Sequence, residues 1–129
     1  MKRGLIFILL MLVVVSCSEH SNPYTPGKSL EFKQAALDQL DESQVSKITQ
    51  NVEDFDLKAG EYIFENNKHY IKLNNGMKQQ FLTDKTINLT NGKRILMITI
   101  QWELSGLAGP IVAIMDPNTK MIIGYFGNY

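Results

Sequence analysis

At Ala59-Gly60 the apolar spacing of this chain changes from three and four residues to two, and that change constrains its fold more than any other feature. Upstream, Phe32, Ala36 and Leu40 recur every fourth residue with Ala35 and Leu37 beside them. Glu31, Lys33, Gln34, Asp38 and Gln39 take the other side, so the segment reads as an amphipathic helix. Ser29 is the expected N-cap, and Glu42, unfavourable at a helix C-terminus, stops the helix near Leu40. Val45, Ile48, Val52 and Phe55 continue the spacing and predict a second short helix after Asp41-Glu42-Ser43.

Downstream, Tyr62 and Phe64 alternate with Glu61 and Glu65, and His69, Ile71 and Leu73 alternate with Tyr70 and Lys72. Asn66-Asn67 between them predicts a β-hairpin, and Asn74-Asn75-Gly76 opens a further turn. Residues 77–93 carry little pattern beyond a short strand expected at 86–90. Residues 94–104 form the clearest strand. Leu96, Ile98, Ile100, Trp102 and Leu104 lie on one face, and the other starts apolar at Ile95 and Met97 and turns polar through Thr99, Gln101 and Glu103. After a break at 105–110, residues 111–115 and 121–126 form a last hairpin around Asp116-Pro117-Asn118-Thr119-Lys120, where Pro presets φ and Asp accepts backbone hydrogen bonds. The expected fold is α+β: an N-terminal amphipathic helix packed on an antiparallel sheet of about four to six strands.

The first seventeen residues follow a different logic. Lys2 and Arg3 precede an apolar run at 5–15, then Ser16 and Cys17. Eleven apolar residues are too few to cross a bilayer, which takes roughly 20. A charged start, a short apolar stretch and a small residue before a cut site are the parts of a secretory signal. Val14-Val15-Ser16-Cys17 resembles the lipobox of bacterial lipoproteins, and Cys17 is the only cysteine in the chain. The resemblance implies cleavage between Ser16 and Cys17, a diacylglyceryl group on the Cys17 thiol and an added acyl chain such as palmitate. It also implies a membrane anchor in the cell envelope, facing the periplasm or the cell surface, with the outer membrane favoured over the inner by Ser18. The expected organisation is a cleaved signal peptide at 1–16, a lipidated cysteine and flexible tether at 17–28, and one small domain at 29–129. Deleting the tether is expected to leave the melting temperature unchanged.

Removing residues 1–16 leaves eleven Lys and Arg against thirteen Asp and Glu, a net charge of −2, which argues against nucleic acid as a partner. The charge is uneven. Residues 31–65 carry a net of −6 and residues 66–129 a net of +4. The two halves either lie together and neutralise, or present an acidic face to a partner.

Residues 112–123 are similar to the end of PepSY-like domains, where an apolar strand, an Asp, a short turn and another apolar strand recur. Lys120 stands where that pattern has Gly, and no function follows from the likeness.

Motifs for chemistry are sparse. With Cys17 acylated, no thiol remains for a disulfide, a zinc site or a nucleophile. His20 falls in the tether, and His69 on a strand beside a turn is expected to be structural or exposed rather than catalytic. Glu53, Asp54, Asp56 and Glu61 are the one carboxylate cluster, but Gly60 and Lys58 fall at the wrong positions for a calcium loop. Gly106 and Gly109 precede Pro110 and a strand, so they cannot cradle phosphate at a helix N-terminus. No enzyme activity, cofactor or metal is expected. Trp102 is read either as part of the core face with Ile98 and Ile100 or, with Glu103, Ser105, Gly106 and Gly109, as a binding edge. Three classes of function remain: a lipid-anchored binding or inhibitory module, including immunity or protease-inhibitor roles; an accessory subunit of an envelope assembly; and, least supported, a small hydrolase. The first two would take another envelope or secreted protein as partner.

Overall fold

Helix formation begins at Thr25 in the computed structural model, which describes residues 23–127. Thr25 Oγ1 accepts from the Lys28 N–H at 3.3 Å, and Pro26 presets φ for the first turn of α1, Pro26–Asp38. Ser29, the expected cap, is instead a buried residue of the helix. Phe32, Ala36 and the following Leu40 are buried, and the Tyr24 ring meets Phe32 edge-on at 4.9 Å. The expectation of a flexible tether at 17–28 is therefore corrected for residues 24–28, which pack on, cap and open the helix, while residues 17–22 lie outside the described residues. Losing an N-cap costs about 0.5–2 kcal/mol, and each kcal/mol moves the melting temperature by roughly 4–8 °C in a domain of this size. A chain beginning at Lys28 is expected to melt several degrees below one beginning at Pro23. Equal melting temperatures would show that neither cap nor ring contributes.

The second helix expected over residues 45–55 is two pieces, α2 at Glu42–Val45 and a 3₁₀ turn at Val52–Asp54. The 46–50 stretch between them leaves the helix because its backbone pairs elsewhere, as Ile48 bridges Trp102.

Six strands follow: β1 Asp56–Glu65, β2 Lys68–Leu73, β3 Lys78–Phe81, β4 Arg94–Ile100, β5 Ile111–Asp116 and β6 Met121–Tyr125. A four-residue helix, α3 Ser105–Ala108, separates β4 from β5. The sheet order is β3-β2-β1-β4-β5-β6 with antiparallel neighbours, so the protein is α+β with an antiparallel sheet. Asn66 and Asn67 turn β1 into β2 with φ of 53° and 63°, the backbone that a two-residue hairpin of matching twist needs. Lys120, in the place of the PepSY-like Gly, also holds a positive φ, 60°.

Three strand expectations are corrected. No strand forms at residues 86–90; the second neighbour of β2, opposite β1, is the polar Lys78–Phe81, which carries no alternating pattern to read. The long strand stops at Ile100, and Leu104 is exposed. β1 starts at Asp56, so Ala59-Gly60 lies inside it. A Cβ on Gly60 would sit 2.7 Å from both Ile71 Cγ1 and the Lys72 carbonyl oxygen, so the glycine marks a close approach of β2 and not a break.

The sheet curls until its ends meet. Leu82, just past β3, donates to the Tyr125 carbonyl at 2.8 Å and accepts from the Tyr125 N–H at 2.9 Å. Curling separates two apolar layers. One, between the sheet and α1, contains Phe32, Ala36, Leu57, Leu96, Ile98, Ala113 and Met115. The other, on the concave side, contains Tyr62, Ile71, Phe81, Ile95, Met97 and Ile114. Both faces of β4 are thus covered at its start, as its apolar second face implied.

Elsewhere β6 is an edge strand, and side chains occupy it: Ile122 donates to Gln39 Oε1 at 2.8 Å and accepts from Lys85 Nζ at 2.9 Å. The two oppositely charged halves of the chain do meet, through Glu31–Lys120 at 3.0 Å and Glu65–Lys78. Lys120 holds the Glu31 carboxyl below the usual range, mainly by that hydrogen bond. These pairs are exposed and add little to stability.

Candidate functional site

Beyond Ile100 the chain continues as a single bridge. Thr49 N–H donates to the Gln101 carbonyl at 3.2 Å, and Glu103 N–H to the Lys47 carbonyl at 2.8 Å. This pairing fixes Trp102 at the end of the sheet. Its indole N–H donates to the Gly109 carbonyl at 2.9 Å, and its backbone N–H to Ser105 Oγ at 2.9 Å. Gly109, at φ 81°, presents that carbonyl in a conformation that favours glycine. The half-buried ring packs against the α1-side core. The two sequence readings of Trp102 therefore meet in one residue: the ring touches the core while its polar atoms hold the loop.

All five residues of the expected edge fall in this one loop. Trp102, Ser105 and Gly109 are its internal ties, while Glu103 and Gly106 face outward, Gly106 with open space where a Cβ would be. The most conspicuous outward residue is Leu107, 92% exposed, with Leu104 and Val45 also exposed. Sequence reasoning passed over Leu107 because one leucine among Ser, Gly and Ala has no periodicity. Its signal was an apolar residue between two glycines. A loop tied from within that displays apolar side chains can bind a surface.

The other candidates disperse. Asp56 and Glu61 sit on opposite faces of β1, Asp56 is 3.9 Å from Lys58, and Glu53 and Asp54 belong to the 3₁₀ turn. Among the described residues no three carboxylate or histidine groups converge as metal ligands. His69 Nδ1 lies 2.7 Å from the Tyr62 hydroxyl within an aromatic cluster with Phe64 and Phe81. Burial pushes the Tyr62 phenol up. Ser16, Cys17 and His20 lie outside the described residues.

Compared with protein-family models, curated proteins and solved structures, the chain gives no match.

Proposed function

We propose that this is a lipid-anchored protein of the bacterial envelope whose mature domain acts by binding another envelope or secreted protein, without turnover of its own. Support for the anchor is the charged start, the eleven-residue apolar run and Cys17 at the lipobox position. No described helix is long and apolar enough to cross a membrane. In this reading Cys17 carries the acyl chains on the outer membrane or cell surface. Helix α1 is then the N-terminal element of the mature domain, a few residues beyond the lipid. Two or three chains anchor stably where one does not.

The observation that carries the binding role is Leu107, almost fully exposed on a loop that Trp102 holds in shape. Ordering such a loop in advance lowers the entropic cost of binding, and an apolar tip gives a partner something to bury. Affinity capture from detergent-solubilised membranes is expected to yield one stoichiometric partner with the parent chain and at least tenfold less with Leu107→Ser, which leaves the ties of Trp102 intact. Recovery independent of Leu107, or of a large assembly, would overturn the loop as the binding edge and favour the accessory-subunit role. Fatty-acid labelling checks the anchor separately: Cys17→Ala is expected to lose all label, and retained label would sink the lipoprotein reading.

A further inference from the structure

Where the α1 layer ends, the outer face of the sheet is left as an open groove of about 850 Å³. Ala59 and Gly60 form part of its floor, and Pro23, Tyr24 and Pro117 form one wall. Its polar lining is Glu61, Lys72, Asn74, Lys93, Arg94 and Asn118. Register accounts for the convergence: Glu61 of β1 stands opposite Lys72 of β2 on one side and Arg94 of β4 on the other. That placement would suit cross-strand neutralisation, yet neither cation comes within ion-pair distance of Glu61 among the described residues. The ion pairs formed are at Glu31, Asp56 and Glu65. Three cations against one carboxylate leave the groove positive on a chain whose mature charge is negative.

We infer that this groove binds a phosphate-bearing anion, with Lys72, Lys93 and Arg94 donating to the phosphoryl oxygens and the Asn74 and Asn118 amides at its rim. Arg94 supplies the planar fork that matches two oxygens of a phosphoryl group, and the lysines supply point charges. The same chemistry has two sources, a phospholipid headgroup or a soluble phosphate. Position favours the lipid. Pro23 in the wall is six residues from Cys17, so the groove is at most about 21 Å of extended chain from an acylated terminus. This preference rests on the lipoprotein reading; the anion site itself does not.

The test uses the full chain in neutral detergent micelles, following the backbone amide signals of Gly60, Gly76 and Gly92. One arm dopes the micelles with phosphatidylglycerol, and the other adds inorganic phosphate to undoped micelles. Saturable shifts with phosphatidylglycerol, at least tenfold weaker in the Lys93→Gln/Arg94→Gln double variant and unchanged in Lys68→Gln, are the expected result. Saturation by inorganic phosphate alone, with the same variant pattern, upholds the anion site and assigns it a soluble ligand. No saturable shift in either arm, or equal weakening by Lys68→Gln, overturns the proposal, since the second would reflect net charge only. Mass analysis of Cys17 in the same preparation separates the two readings. An unlipidated cysteine with phosphate bound removes the anchor and keeps the groove, whereas a lipidated one with no saturable shift does the reverse.

Discussion

Ile98→Ala is expected to remove about 2–5 kcal/mol of folding stability, a large part of the 5–15 kcal/mol that a domain of this size holds. Ile98 is fully buried at the centre of the sheet, with Leu57 of β1 and Ala113 of β5 in register on either side. It shares its cluster with Phe32 and Ala36 of α1, so truncation opens a cavity between layers that are both tied down. Met97→Ala is expected to cost a similar amount on the concave side, where Met97 packs with Ile114. Thr99→Ala at a half-buried position and Gln101→Ala at an exposed one are expected to cost little. Denaturant titration of the four variants separates position along the strand from parity. Equal losses at all four would show that burial does not fade toward the end of β4.

Gly124→Ala is expected to cost about 1–3 kcal/mol and, more tellingly, to open the sheet. A Cβ there would collide with the Phe81 ring and with the Leu82 carbonyl, and the carbonyl is backbone that cannot rotate aside. The only relief is to move β3 away from β6, which breaks the two hydrogen bonds between Leu82 and Tyr125. Hydrogen exchange should therefore report lost protection at the Leu82 and Tyr125 amides while β4 amides stay protected. Unchanged protection at both would mean that the two ends have room to spare.

Much of the architecture was legible because the pattern and the packing agree. The four-residue recurrence of Phe32, Ala36 and Leu40 comes from a helix with one buried face, and the alternation from Leu96 through Ile100 marks the β4 face toward α1, although Ile95 and Met97 bury the other face as well. Asn66-Asn67 announced its hairpin because few residue pairs accept two positive φ angles. Residues 78–81 were illegible for the opposite reason. Lys, Gln and Gln have no reason to read as a strand, and β3 exists because β2 offers a free edge and Phe81 fills the curl. Gly60 and Gly124 showed only as missing side chains, whereas their role depends on neighbours far off in sequence. The loop at 102–109 was located from its glycines, but Leu107 gained meaning only once Trp102 was seen to hold the loop from within. The groove at Lys72, Lys93 and Arg94 joins positions from different strands, which no local spacing can foreshadow.

The side chains along β6 bear on how this protein behaves in company. An edge strand with idle backbone groups is a template on which the next copy can add a strand, and growth of that kind has no natural end. Here the Gln39 amide and the Lys85 ammonium already engage the N–H and carbonyl of Ile122, one reaching over from the end of α1 and the other from the strap after β3. A would-be neighbour has to displace a charged group before it can pair. At Ile122, then, the edge has no idle backbone pair to offer a second copy.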